Sequence, residues 1–116
     1  MRIFVYGTLR SGEAYAGEMH GLRYLGDAWT QPIYSLVDCG AWPAMVEDGT
    51  TAIYGELYEA DAAQVEVLDR FEGVPHLYLQ IQVALADGST AVGYVMPANR
   101  VVGKAVIPGG DWVRRE

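Results

Sequence analysis

Apolar and polar residues alternate through most of this chain with the two-residue period of strands, and only one segment switches to a helical period. Arg2-Ile3-Phe4-Val5-Tyr6 is an apolar run that reads as a short buried strand leading straight into Gly7-Thr8-Leu9-Arg10. Ser11 to Gly21 is punctuated by glycine and reads as a loop with a short helix. Tyr24 to Trp29 and Ile33 to Val37 read as strands flanking a turn at Gln31-Pro32. Glu47-Asp48-Gly49 is a hairpin signal leading into a strand from Thr51 to Tyr58. In that strand Ile53, Gly55 and Leu57 share one face, and Tyr54, Glu56 and Tyr58 the other. Leu77, Leu79, Ile81, Val83 and Leu85 oppose Tyr78, Gln80, Gln82 and Ala84, after which Asp87-Gly88 supplies a two-residue turn into Ala91 to Val95.

The helical period runs between Asp61 and Gly73. Val65, Leu68 and Phe71 fall on one face, with Glu66, Asp69 and Arg70 mostly on another. Asp61 is a good N-cap with Gln64 three residues on, a variant of the capping box, and Gly73 with Pro75 forms a stop signal. One helix among short antiparallel strands predicts an α+β fold, a small mixed β-barrel with few helices. A doubly wound sheet would need several crossover helices. No repeat, low-complexity run or linker divides the chain, so residues 1–116 read as one domain.

Glu72 stands at the end of that helix, where it is out of place for stability. The last helical turn carries unpaired carbonyls and a partial negative charge, so an anion there is disfavoured by roughly 0.3–1 kcal/mol and its pKa is pushed upward. A raised carboxylate pKa suits general acid/base chemistry near neutral pH. Its bland reading is a solvated residue on a frayed helix end. The turn at Gly7 is a second candidate. Glycine directly after an apolar strand lets the backbone bend sharply and lets successive N–H groups point at one spot, a concavity suited to a carboxylate or an oxyanion. Its bland reading is a simple connection.

Four stretches together resemble the γ-glutamyl cyclotransferase-like family, which includes γ-glutamylamine cyclotransferases and the cyclotransferase of butirosin biosynthesis. They are Val5-Tyr6-Gly7-Thr8-Leu9-Arg10, then Gly40-Ala41-Trp42-Pro43-Ala44-Met45-Val46, then Tyr54-Gly55-Glu56-Leu57-Tyr58 followed by Leu68 to Pro75, and Gly93-Tyr94-Val95-Met96. The resemblance implies a compact β-barrel whose glycine turn binds the glutamyl group and in which Glu72 is the acid/base. The implied reaction is intramolecular acyl transfer: the α-amine of a γ-glutamyl compound attacks its own γ-carbonyl, closing 5-oxoproline and expelling an amine. On this reading Glu72 is catalytic and backbone N–H groups around Gly7, Thr8 and Leu9 hold the substrate carboxylate or the oxyanion. Tyr6 and Tyr94 line the pocket unless they are ordinary half-buried aromatics. Glu56, on the tyrosine-bearing strand face, is the alternative acid/base. Many relatives carry arginine where this chain has Gln80, which bears on substrate class more than on fold.

Composition narrows the partners. At 116 residues with 51% hydrophobic content, the chain can bury roughly 60–70% of the surface its unfolded form exposes. A net charge of −7, with eight basic residues and no basic patch beyond a solvated Arg114-Arg115 tail, argues against nucleic acid and anionic membranes. It also leaves no evident basic partner for a second carboxylate, so an uncharged or cationic leaving amine is expected to be processed better than glutathione. No apolar run approaches the ~20 residues of a membrane span and the opening lacks the order of a signal peptide, so the cytoplasm is the expected location. The lone Cys39 agrees with a reducing compartment and reads as a packing residue. His20 and His76 belong to no ligand pattern, and neither metal nor organic cofactor is expected. The partner expected is a small γ-glutamyl molecule. The rival from another class is a non-catalytic binding protein that keeps the same pocket for an acidic metabolite.

Overall fold

β1 (Arg2–Val5) is the middle strand of the molecule because its side chains are apolar on both faces. Ile3 and Val5 enter one core while Phe4, followed by Tyr6, enters another on the opposite side of the sheet. The structure, a computed structural model, describes residues 1–115. Along the chain follow β2 (Arg23–Trp29), β3 (Tyr34–Asp38), β4 (Pro43–Thr51), β5 (Tyr54–Glu59), α1 (Ala62–Phe71), β6 (Leu79–Ala84) and β7 (Thr90–Val95). Short 3₁₀ turns occur at Ala16–Met19, inside the expected loop, and at Ala98–Arg100.

Five strands form one sheet in the order β2-β5-β1-β7-β6, and β3 and β4 form a separate two-stranded ribbon. β1 runs antiparallel to β5, with Val5 opposite Glu56, and parallel to β7, with Ile3 opposite Val92. The expected barrel is therefore corrected to an open mixed sheet. Its edge strands β2 and β6 meet at one end through the bridge Thr30–Leu85, where Gln31 N–H donates to Ala84 O and Ala86 N–H to Trp29 O at 2.9 Å, and among the described residues they form no continuous ladder. One core holds Ile3, Val5, Tyr58 and Val92 together with Val65 and Leu68 of α1. The other holds Phe4, Ile53, Leu57, Val83 and Trp112. β5 serves both, as its alternation requires.

The hairpin expected at Glu47-Asp48-Gly49 is a bulge inside β4 instead. Pairing with β3 runs from Asp38–Pro43 to Ser35–Val46, then jumps to Tyr34–Thr51, and the Ser35 hydroxyl donates to the Asp48 carbonyl at 2.8 Å across the excursion. Turn-forming residues thus kink a strand without reversing it. The Asp87-Gly88 turn is also one residue longer than expected: Leu85 N–H donates to Ser89 O at 2.8 Å, enclosing three residues with Gly88 at φ +89°. In the run from Leu77 to Leu85, Val83 and Leu85 are buried as the alternation predicts. Leu77 and Leu79 are exposed and Tyr78 is buried, because the strand begins only at Leu79 and Tyr78 turns inward to donate to Pro43 O at 2.9 Å.

The C-terminal segment covers the edge of the ribbon, with Asp38 N–H donating to Ala105 O and Ile107 N–H to Leu36 O. Arg114 and Arg115, expected as a solvated tail, are both exposed, and the Arg115 guanidinium lies 3.3 Å from the ring centroid of buried Trp112. Among the described residues no helix is long and apolar enough to cross a membrane.

Candidate active site

Helix α1 delivers Glu72 to the core side of the sheet through local chemistry that is fully satisfied at both ends. Asp61 Oδ1 accepts from Gln64 N–H and Gln64 Oε1 accepts from Asp61 N–H, both at 2.8 Å, completing the capping box. At the other end Glu72 is the C-cap, and Gly73 takes φ +69°, the left-handed conformation that ends a helix at little cost only with glycine. Val65 and Leu68 anchor the helix in the core, which holds its last residue over the end of β1.

There a cleft of about 360 Å³, its mouth included, is walled by the turn from Tyr6 to Leu9, by Trp42 and Pro43, and by Glu72, Tyr78 and Tyr94. Glu72, Tyr6, Gly7, Thr8, Leu9 and Tyr94 line this one space, and Glu56, the alternative acid/base, does not. The Gly7 and Thr8 carbonyls are taken by Arg10 N–H and Tyr15 N–H, at 3.0 and 2.8 Å. Among the described residues the amides of Gly7, Thr8 and Leu9 have no hydrogen-bond acceptor. Free amides on a turn beside a cleft can hold an anionic oxygen.

Burial pushes the Glu72 carboxyl up to about 7 from its ordinary 4.5, with no cation or hydrogen-bond donor to offset it. The helix dipole argued from sequence has the same sign, yet loss of water is what moves this group. Burial likewise raises the Tyr6, Tyr78 and Tyr94 hydroxyls, and the nearby Glu72 charge adds to each, so all three remain protonated near neutral pH. Those hydroxyls have fixed duties. Tyr6 donates to Tyr94 O at 2.8 Å and accepts from Met45 N–H at 3.0 Å, tying β7 to β4, while Tyr94 donates to Asp69 Oδ1 at 2.7 Å, tying the sheet to α1. The Cys39 thiol is raised by burial, the reverse of an activated nucleophile.

Glu72 gives stability a pH dependence of definite sign. Its folded-state affinity for a proton exceeds that of the unfolded chain, so between about pH 4.5 and 7 the folded protein retains a proton that the unfolded one has released. Stability from this group is complete at low pH and is lost as pH rises through 7. Glu72→Gln is therefore expected to be more stable than the parent protein at pH 8 by about 1–3 kcal/mol, an advantage that fades as pH falls from 7 to 4.5. Urea unfolding at pH 4 and pH 8 measures this; equal differences at both values would contradict it.

Residues 3–114 match the family described as gamma-glutamyl cyclotransferase, AIG2-like. The chain belongs to this family. It is 33% identical over 118 residues to the gamma-glutamylcyclotransferase family protein YtfP of Escherichia coli strain K12, covering 100% of this chain and 99% of that one. It is also 33% identical over 104 residues to the gamma-glutamylaminecyclotransferase of Rattus norvegicus, covering 78% of this chain and 70% of the relative. The crystal structure of c4763, a uropathogenic E. coli-specific protein, shares the fold with a TM-score of 0.84 at 24% identity, over 96% of this chain and 91% of that one.

In this γ-glutamyl cyclotransferase family member, Glu56 lies away from the cleft and braces the turn from behind. Its Oε1 accepts from Ser11 N–H at 3.0 Å and from the Tyr58 hydroxyl at 2.9 Å, and its Oε2 lies 3.7 Å from the Arg10 Nε. Arg10 is buried, pairs with Asp111 at 2.8 Å and lies 5.1 Å from the ring centroid of Tyr54. This locks the residue following the glycine turn to β5 and to the C-terminal segment. Glu56→Gln keeps the acceptor oxygen but removes half of Arg10's compensation, so it is expected to cost about 1–3 kcal/mol of stability. The pH profile of the reaction should be unmoved. A folded Glu56→Gln protein that loses turnover while Glu72→Gln keeps it would transfer the acid/base role to Glu56.

Five other residues differ in placement from the sequence reading. Gln80 is exposed, gives its amide to Asp69 Oδ1 at 2.7 Å across the α1–β6 contact, and does not line the cleft. Asp69, assigned to the polar face of the helix, is the acceptor that joins Gln80 to Tyr94. Tyr78, Trp42 and Pro43 were not assigned to the site. The signal available for the last two was their place inside the Gly40–Val46 stretch that carries part of the family resemblance.

Proposed function

We propose that this cleft cyclises γ-glutamyl amides to 5-oxoproline with release of the amine, Glu72 serving as the single acid/base. The observation that carries the reading is a half-buried carboxyl pushed to about 7, facing a turn whose amides are free to hold an anionic oxygen. The substrate supplies its own nucleophile. Glu72 takes a proton from the α-ammonium, the α-nitrogen bonds to the γ-carbon, and the carbonyl electrons pass onto oxygen. Collapse of that intermediate re-forms the carbonyl and breaks the bond to the departing nitrogen, which receives the proton back from Glu72, and the extra proton left on the ring nitrogen then passes through Glu72 to the freed amine, which leaves as an ammonium. One group suffices because each of the two protons lost by the α-nitrogen is handed on to the departing nitrogen.

The walls contribute orientation. A glutamyl chain is extended in water and cyclises only when its two ends are brought together, so enclosure between the glycine turn, Pro43 and the three tyrosines favours the reactive fold. A pure binder of anionic glutamyl groups gains nothing from a carboxylate beside them, whereas a carboxyl near its pKa can exchange a proton with the substrate. Incubation with a panel of γ-glutamyl amides and dipeptides, with products identified by mass, tests the proposal. The expected product is 5-oxoproline in equimolar amount with free amine. Saturable binding with no turnover of any member would replace the enzyme by a binding protein.

A further inference from the structure

Beside the cleft lies an open outer chamber of about 660 Å³, the solvent at its mouth included, that shares Thr8, Trp42, Glu72 and Tyr78 with it and adds Tyr15, Phe71 and Leu77. Four of these are among the large apolar side chains that the protein leaves exposed: Tyr15 at 52%, Trp42 at 44%, Leu77 at 42% and Phe71 at 36%. They come from four separate segments: the loop after β1, the approach to β4, the end of α1 and the approach to β6. Their convergence on one mouth is held by geometry around Glu72. Gly73 reverses the chain, its carbonyl accepts from both His76 N–H and Leu77 N–H at 2.8 Å, and the Leu77 side chain packs directly over it. Tyr15 meets Phe71 edge to face at 5.4 Å between ring centroids. Among the described residues, none that lines this chamber is charged apart from Glu72.

We infer that this chamber receives the departing amine and selects an apolar one, flat or branched, over an amine that carries a carboxylate. The inference rests on the cyclotransferase reading of the inner cleft. Glu72 and Thr8 line both spaces, so the scissile amide sits at their junction, with the glutamyl group inward and the amine outward. An apolar amine covers four exposed hydrophobic side chains and removes them from water. A carboxylate there meets no lysine or arginine, and the Glu72 anion repels it.

The test is kcat/KM for γ-glutamyl benzylamide, γ-glutamyl methylamide, γ-glutamyl-ε-lysine and γ-glutamylglycine. The benzylamide is expected to exceed the methylamide by about 10–100-fold, the range of discrimination open to an apolar pocket, with the lysine and glycine adducts below the benzylamide. Phe71→Ala and Leu77→Ala, both at partly exposed positions, should compress the benzylamide-to-methylamide ratio to about threefold or less. A benzylamide no better than the methylamide, a preference for the lysine or glycine adduct, or a ratio untouched by either substitution overturns the inference. In each of those cases 5-oxoproline from the methylamide leaves the cyclotransferase reading standing. No 5-oxoproline from any compound removes both.

Discussion

Glu72→Gln is expected to lower 5-oxoproline formation by about 10²–10⁴-fold while leaving the fold and substrate binding intact, the range for loss of a general acid/base. Glutamine matches the side chain in size, and Glu72 makes no ion pair or hydrogen bond among the described residues that the change would break. Loss of activity with equal or greater stability at pH 8 separates a chemical role from a structural one. Burial puts the group at about 7, so on the proposed reading the parent protein's kcat/KM should rise with an apparent pKa near that value, and the residual activity of Glu72→Gln should lack that limb. Retention of near-normal turnover by a folded Glu72→Gln protein would remove this residue from the chemistry.

Substitution of Gly7 by valine should cost about 10²–10³-fold in rate, comparable to losing one oxyanion donor. The physical cause is close approach. A Cβ at residue 7 would stand 2.6 Å from Pro43 Cγ and 2.8 Å from Cδ, distances that force the ring or the turn to move. Pro43 is itself a wall of the cleft, and its carbonyl accepts from Tyr78, so the displacement spreads to the opposite side. Overpacking of this kind also costs about 1–3 kcal/mol. Activity measured on protein shown to be folded by near-ultraviolet circular dichroism separates the two effects. A folded Gly7→Val enzyme with normal turnover would exclude the turn as a substrate cradle. Gly7→Ala, with the same Cβ and less bulk, should show the same loss in weaker form.

What could be read from the chain follows the range of the interactions involved. The helix was legible to its caps because Asp61, Gln64 and Gly73 act within a few residues of their partners. The buried character of β1 was legible because a strand covered on both faces is apolar throughout. β4 was not legible, since Asp48-Gly49 carries the local signature of a reversal and only pairing with β3 across the bulge shows that the strand continues. Closure of the sheet was overestimated for a related reason: whether β2 and β6 join is decided where Thr30 meets Leu85, more than fifty residues apart.

The site divides in the same way. Gly7 and Glu72 could be singled out because each departs from what local stability prefers, one by a turn after an apolar strand and the other by an anion at a helix end. Tyr78 and Asp69 sit in segments whose own patterns are ordinary. They gain meaning only from partners brought by the fold, Pro43 in one case and Tyr94 with Gln80 in the other. The upward shift of the Glu72 pKa could be argued from helix polarity, whereas its cause, enclosure among Tyr6, Tyr78 and Tyr94, required the tertiary structure.

The central claim is that the substrate's own α-amine, and not water, attacks the γ-carbonyl. Turnover of a γ-glutamyl amide labelled with ¹⁵N at the α-position, carried out in H₂¹⁸O and followed by mass spectrometry, tests it directly. The account predicts 5-oxoproline that retains the ¹⁵N in its ring and carries no ¹⁸O, formed by the parent protein and nearly abolished in Glu72→Gln. Glutamate bearing ¹⁸O in its γ-carboxylate would contradict it and make the protein a hydrolase.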